Sequence, residues 1–320
     1  MRRRLLALVL AVLLAMAASP SFAQAPGLVS YWPADGNFLD VVGGNNGTPV
    51  GGVSFAPGEA GSAFAFDGMS GRVFVPDSPS LAISGSIAMS AWVLFNGIPD
   101  GSFASQILFR GDDNNGLDPY YLAVNYQNYV AFHICNGPLI AEITGPIPLG
   151  TWTFVAASLD NNTGIMQLYV NGEVVAFQRS GIRPFADLDP DANPGVGIGN
   201  VQSGNYSAYF NGSIDEVRLY NTAGPTVFPA QLSLASSSVK GGTPINASVI
   251  LDDAPFQSVT VSLKSDSAAV TVPKTIQIGY GQAQSAPFII RTRRVVASRV
   301  AHLNATLNGV TVTSTLVLTP

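Results

Sequence analysis

Four polar or aromatic side chains on two consecutive predicted strands are the best candidates for binding chemistry. They alternate with apolar residues that should face a core, so they are predicted to lie on the opposite face of a sheet. If the two strands pair, the four share one patch: Tyr121, Asn125, Tyr129 and His133. Aromatic rings beside amide and imidazole groups suit the recognition of a sugar. The alternative is that a loop or a second sheet covers them.

An acidic loop follows the apolar strand at residues 107–109 and is a second ligand-binding candidate. Asp112 and Asp113 begin it, and it should lie at the rim of a sheet. The tripeptide Arg110-Gly111-Asp112 resembles an integrin-binding motif, but we interpret the match as chance.

Catalytic patterns are missing from the sequence, and we predict no catalytic residue. Glycoside hydrolysis needs two cooperating carboxylates, yet the chain has four glutamates and no Glu-x-Asp-x-Glu run. Asp215 and Glu216 are adjacent, so in a regular strand they would point to opposite faces. The two histidines, His133 and His302, fall in different predicted domains, and no Gly-x-Ser-x-Gly elbow occurs.

The composition favours short strands joined by turns. Charged residues make up 11% of the 320 residues, with 33 glycines and 22 prolines. The formal net charge of −5 argues against a nucleic-acid partner. The dense basic stretch at residues 291–294 is expected to be a solvated strand or turn. Cys135 is the single cysteine, which excludes an intramolecular disulfide.

The N-terminus has the features of a secretory signal peptide. Three arginines precede an apolar run, and small residues end at Ala23, where we expect cleavage. A membrane-spanning anchor is the alternative, but the apolar run is shorter than the ~20 residues that a spanning helix needs. We therefore expect a protein exported by the Sec route, extracellular, cell-surface or periplasmic, with no membrane insertion after cleavage.

Turn signals divide the mature chain into two predicted β-domains. Asn171-Gly172 between alternating runs predicts a hairpin. We place a first domain at residues 26–222, a linker at 223–230 and a second sandwich of about seven strands at 231–320. Trp92 and Trp152 lie in apolar strands and are expected to pack in the core.

An ordered set of motifs resembles one family. The first domain is similar to the laminin-G-like jelly roll of the concanavalin A-like lectin/glucanase superfamily, and the sequence Ile214-Asp215-Glu216-Val217 is typical of its last strand. Residues 41–43 depart from the family pattern. The second domain more weakly resembles the immunoglobulin-like repeats of bacterial surface proteins. The stretches that carry the first resemblance are residues 28–37, 40–48, 61–68, 73–81, 90–93, 168–172 and 210–221.

The resemblance implies an all-β fold, an antiparallel jelly roll followed by a smaller immunoglobulin-like sandwich. It also implies a structural Ca²⁺ held by Asp35, Asp40 and Asp215, with Asx-turns as the alternative explanation of these residues. The expected function is non-catalytic binding of carbohydrate or a surface glycoconjugate. A spacer or adhesin segment without a small ligand is the alternative, and a glycoside hydrolase is a third.

Overall fold

The computed structural model describes residues 25–112, 118–201 and 208–320. The predicted signal peptide and Asp113 lie outside these residues. The described chain is built from β-strands, with one 3₁₀ turn at Pro190–Ala192 and no α-helix within those ranges. No helix in the described part of the chain is long and apolar enough to cross a membrane.

The first sandwich contains fifteen described strands in two sheets. The strands are β1 Leu28–Trp32, β2 Thr48–Val50, β3 Val53–Pro57, β4 Ser62–Asp67, β5 Arg72–Pro76, β6 Ile87–Phe95, β7 Ala104–Gly111, β8 Tyr120–Asn125, β9 Tyr129–Asn136, β10 Leu139–Pro146, β11 Trp152–Leu159, β12 Ile165–Val170, β13 Glu173–Arg179, β14 Gly195–Ile198 and β15 Asn211–Tyr220. Sheet A has the order β13-β12-β11-β6-β15-β4-β3, with β1 beside β15, and sheet B has the order β10-β9-β8-β7-β14-β5-β2.

The two sheets enclose one apolar core because their strands alternate apolar and polar side chains. Val130, Phe132 and Ile134 are fully buried and point into it. The predicted hairpin joins β12 to β13, and both turn residues have positive φ, 50° at Asn171 and 80° at Gly172, as a type I′ turn requires. The jelly-roll sandwich expected from the sequence is therefore the observed fold.

The last strand of the first sandwich is interrupted by a bulge. In β15 the register shifts between Asp215 and Arg218, and Glu216 has a φ of 55°. The bulge inserts Glu216 as an extra residue, so the alternation resumes beyond it. The expectation that Asp215 and Glu216 point to opposite faces of a regular strand is wrong for this reason.

The second sandwich contains nine described strands. They are β16 Pro229–Leu234, β17 Ser238–Lys240, β18 Ile245–Leu251, β19 Val259–Ser265, β20 Val270–Thr271, β21 Thr275–Ile278, β22 Phe288–Thr292, β23 Arg299–Leu307 and β24 Val310–Thr319. One sheet has the order β16-β18-β22-β20, and the other has the order β17-β24-β23-β19-β21. A separate apolar core lies between them. The first of these strands begins two residues before the predicted domain start.

The outer face of sheet A packs against two loops of the second sandwich. Trp92 donates a hydrogen bond from Nε1 to the carbonyl of Gly281 at 3.2 Å, and its ring lies 5.5 Å from Phe154 and 6.0 Å from Tyr280. Phe256 completes this aromatic cluster. Trp92 is buried as expected, but it lies between the two sandwiches and not in the core of the first.

A buried charged network adjoins this aromatic junction. The guanidinium of Arg218 lies 2.7 Å from Glu216 Oε2 and 3.1 Å from Asp253 Oδ1, and it covers the ring of Tyr31 at 3.9 Å. The hydroxyl of Tyr220 donates to Asp253 Oδ2 at 2.8 Å. Arg218 and Asp253 are each 4% exposed. The two sandwiches are thus joined by an ion pair that is shielded from water.

Candidate binding site

A row of side chains crosses four neighbouring strands on the outer face of sheet B. The rings of Phe109, Tyr121 and His133 are stacked, with centroids 4.6 and 4.3 Å apart and planes within 6° of parallel. These residues are cross-strand partners, and the ~4.8 Å spacing of strands in a sheet places their rings at stacking distance. The row ends at Glu142, which pairs with His133 across β9 and β10.

Glu142 is the charged residue at the end of this row. Its Oε2 lies 3.0 Å from His133 Nδ1 and accepts a hydrogen bond from the Tyr121 hydroxyl at 3.2 Å. The hydrogen bond with His133 holds the pKa of Glu142 below its usual value. Burial raises the pKa of Tyr121, so its hydroxyl stays protonated. Glu142 is therefore an exposed carboxylate whose position is fixed by two neighbours.

The other two predicted residues lie further along the same face. Tyr129 is 42% exposed. Asn125 is committed to the turn before β9, since its Oδ1 accepts the amides of Gln127 at 3.0 Å and Tyr129 at 3.1 Å. The structure thus places all four predicted residues on one face, but the carbonyl oxygen of Asn125 serves the hairpin.

Two alanines separate the stacked row from Tyr129. Ala123 and Ala131 are paired across β8 and β9, and each is 4% exposed. Thr144 follows beside Ala131 on β10 and is exposed. From Tyr121 to Asn125 the strand spans roughly 13 Å, at about 3.3 Å per residue. We call this surface the outer patch: Tyr121, His133, Glu142, Ala123, Ala131, Thr144 and Tyr129.

Phe109, Glu142 and Thr144 were not identified from the sequence. Gly137 and Pro138 form a two-residue turn between β9 and β10, and counting outward from it pairs His133 with Glu142. This register was available from the sequence. The stacking of Phe109 was not, because a register shift in β7 precedes it.

Asp112, the first residue of the predicted acidic loop, is buried. Asp112 is 1% exposed, and its Oδ2 accepts the amide of Asp189 at 3.4 Å. Asp112 directly follows β7, at the end of a strand as predicted, but the segment at residues 186–189 lies against it and buries its side chain. Arg110 is fully buried and bonds Asp77 at 2.9 Å, so the integrin-like tripeptide is not displayed.

The stability of the folded chain should depend on pH through Asp118. Burial and, after it, the nearby charge of Asp112 raise the pKa of Asp118 to about 7. The folded chain therefore favours the neutral acid, and this stability is lost as the pH rises from about 4 through about 7. We expect Asp118→Asn to be more stable than the parent by about 1–2 kcal/mol at pH 8, after discounting for partial exposure, and not at pH 4. Urea unfolding at both pH values tests this, and an equal difference at the two would contradict it.

The three predicted calcium ligands do not form one cluster. No group of three acidic, histidine or cysteine side chains suited to a metal occurs among the described residues. Asp40 is the clearest correction. Its Oδ1 accepts the amides of Tyr31, Val42 and Gly43, and its Oδ2 accepts that of Asn45, at 2.9–3.0 Å. Three N–H donors converge on Oδ1 and one on Oδ2, and these donors compete with a cation for the carboxylate lone pairs.

Asp35 and Asp215 flank one turn at residues 58–62. Asp35 Oδ1 accepts the amide of Ser62 at 2.9 Å, and Asp215 Oδ2 accepts that of Ala60 at 3.0 Å. Asp215 is fully buried, and its Oδ1 has no hydrogen-bond partner among the described residues. An orphaned buried carboxylate oxygen is the feature that a cation would satisfy.

Comparison with known families and structures gives one family match. Residues 67–224 match the family model described as the concanavalin A-like lectin/glucanases superfamily. A comparison with curated proteins gives no match.

The chain is also similar to solved structures, among them two complexes with carbohydrates. Domain 4 of the arabinanase AbnA from Geobacillus stearothermophilus, in complex with arabinotriose, is 22% identical with a TM-score of 0.47, covering 62% of this chain and 95% of that one. A structure of botulinum neurotoxin type C, a protein whose cell entry depends on interaction with two ganglioside molecules, is 13% identical with a TM-score of 0.46, covering 90% of this chain and 72% of that one. The Ruminococcus gnavus sialidase module CBM40 bound to sialyllactose is 18% identical with a TM-score of 0.38, covering 55% and 90%.

Proposed function

We propose that this protein binds a glycan, without catalysis, on the outer patch of sheet B. The observation that carries the proposal is the arrangement of Glu142, His133 and Tyr121 as a fixed polar row, separated by two alanines from the exposed ring of Tyr129. Only the short side chains of the two alanines lie between a hydrogen-bonding edge and an aromatic surface. Sugars offer hydroxyl groups to the first and apolar C–H faces to the second. Export by the predicted signal peptide and a role in adhesion are further parts of this proposal.

The stacking limits how a sugar would be held. Both faces of the Tyr121 ring are covered, by Phe109 and His133, so only the ring edge and hydroxyl remain for a ligand. Tyr129 makes no ring contact with another described aromatic residue and is the ring on which a sugar would stack. The polar contacts would come from Glu142 and Thr144.

Charge favours a neutral or amino sugar over an acidic one. Residues 25–227 carry 17 acidic and five basic side chains. Glu142 lies in the patch itself, and its hydrogen bond with His133 lowers its pKa and favours the ionised form. A carboxylated or sulfated sugar would be repelled, because like charges at close range cost free energy.

A glycan array with two variants tests the proposal. We expect Tyr129→Ala and Glu142→Gln each to weaken binding by roughly tenfold or more, because each removes one side of the patch. Phe177→Ala is the matched control, since Phe177 is 74% exposed on sheet A. Silence across a broad array, or hits that survive both patch variants, would contradict glycan binding and favour a structural spacer.

Glycoside hydrolysis is a second candidate because of one observation. Near the patch, Asp118 has a raised pKa and Glu142 a lowered one, the pattern of a general acid beside a carboxylate. A binding protein should leave the oligosaccharides that it binds intact. Chromatography after prolonged incubation distinguishes the two, and product formation abolished by Glu142→Gln would establish hydrolysis.

We also propose a Ca²⁺ site that uses two of the three acidic ligands predicted from the sequence. Asp215 and Asp35 would hold the ion, and main-chain carbonyls and water would have to supply the rest of its six to eight oxygen ligands. We expect millimolar Ca²⁺ to raise the melting temperature of the parent and not that of Asp215→Asn. At about 100 times the dissociation constant, the stabilisation would be roughly 2.7 kcal/mol.

Asp40→Asn distinguishes a ligand from a loop-organising residue. This variant should be destabilised with or without Ca²⁺, because it weakens four backbone hydrogen bonds, and it should keep the full response to Ca²⁺. An unchanged parent melt with and without excess chelator would contradict the Ca²⁺ site.

A further inference from the structure

Five basic side chains gather at one end of the second sandwich. Their charge is not matched locally, since residues 228–320 contain seven basic and three acidic side chains. All five are exposed, and none makes an ion pair within the described ranges. We call this surface the basic end: Lys240, Arg291, Arg293, Arg294 and Arg299.

The basic end lies at the pole of the second sandwich that is remote from the first. β18 runs from Ile245 to Leu251 and ends two residues before Asp253, which pairs with Arg218 at the junction, so the turn before β18 lies at the opposite pole. In the same way, β23 begins at Arg299 and ends next to Asn308, whose side chain bonds the carbonyl of Val227 near the junction.

Hydrogen bonds fix the two segments of the basic end together. Thr292 Oγ1 accepts the amide of Gly242 at 2.9 Å and donates to the carbonyl of Thr243 at 2.8 Å. This holds Lys240 and Arg294 on the walls of one crevice of about 390 Å³. Pro320 also lines this crevice. Asp266, the acidic residue that lies beside β23, is paired with His302 at 2.7 Å.

An apolar side chain projects from the middle of this charge. Val296 is 96% exposed and lies between Arg294 and Arg299 in the connection from β22 to β23. An acidic polymer is usually followed by cations along a groove. Here the cations lie on both sides of an exposed valine at the tip of a connection between strands. Cations around an apolar side chain suit a bilayer, which has anionic headgroups above an apolar interior.

We propose that the basic end docks peripherally on an anionic bilayer. Lys240 and Arg294 would receive a phosphoryl headgroup in the crevice, Arg291, Arg293 and Arg299 would face neighbouring headgroups, and Val296 would enter the acyl boundary. Guanidinium groups suit this role because they donate paired hydrogen bonds to phosphate oxygens. The outer patch lies on the other sandwich, so the two sites are independent.

Vesicle co-sedimentation of the mature chain tests the proposal. We expect binding to phosphatidylcholine vesicles that contain phosphatidylglycerol, no binding to pure phosphatidylcholine, and release at about 1 M salt, where charges are screened beyond roughly 3 Å. The double variant Arg293→Gln/Arg294→Gln should bind about 30-fold more weakly. Val296→Ser should lose severalfold, up to about tenfold.

Matched controls keep the test specific. Lys264→Gln/Lys274→Gln removes the same charge from the same sandwich outside the basic end, and Val310→Ser changes an exposed valine at the junction pole; both should bind as the parent does. Equal losses in the two charge variants, or no binding to anionic vesicles, would overturn the proposal. Capture of soluble polyphosphate without vesicle binding would overturn it in favour of a polymer ligand.

Discussion

Replacing Arg218 by alanine should lower the free energy of unfolding by about 3–5 kcal/mol. The side chain is 4% exposed, so its removal leaves Glu216 and Asp253 as buried carboxylates without their shared cation. Breaking a buried ion pair by removing one partner typically has this cost. The ring of Tyr31 also loses the guanidinium that lies 3.9 Å from its centre.

Urea unfolding of Arg218→Ala, compared with Arg179→Ala, measures this effect. Arg179 is exposed on the edge strand β13, and its loss should change stability by less than about 0.5 kcal/mol. If Arg218→Ala does not fold, Arg218→Lys provides the comparison, because it keeps the charge but not the planar fork. Equal stability of the Arg218 and Arg179 variants would show that the network does not hold the sandwiches together.

Trp92→Ala should uncouple the unfolding of the two sandwiches. The substitution removes the hydrogen bond to Gly281 and the ring that contacts Phe154 and Tyr280, at a cost of about 3–5 kcal/mol. The core of each sandwich remains intact. We therefore expect one calorimetric transition in the parent and two in the variant.

Trp152→Ala is the comparison for this second prediction. Trp152 belongs to the edge of the same aromatic cluster and is only partly buried, so its loss should cost less and leave a single transition. A single transition in Trp92→Ala at the parental temperature would mean that the junction carries no coupling between the sandwiches.

Alternation in the sequence predicted which side chains share a face, and the structure agrees for β8 and β9. It could not predict what covers that face. Trp92 lies in a strand of sheet A, yet its burial depends on loops about 190 positions later in the chain. Hydrophobicity alone does not distinguish a residue in a core from one at a junction.

The loop around Asp40 shows a second limit of sequence reasoning. A stretch of Asp, Asn and Gly can present its carboxylate to a cation or to its own backbone amides, and both arrangements use the same residue types. Only the direction of the N–H groups decides between them. The bulge at Glu216 is similar, because a single residue with positive φ changes the side-chain direction without leaving a pattern in the sequence.

The place of β15 in sheet A has a consequence for folding kinetics. β15 is the last strand of the first sandwich, yet it lies between β6 on one side and β4 and β1 on the other. Pairing Leu28 with Tyr220 closes a loop of about 190 residues. Such high contact order implies folding on a timescale of milliseconds to seconds or slower. During synthesis sheet A lacks its central strand until residue 220 has emerged, so the first sandwich should assemble late and in one step.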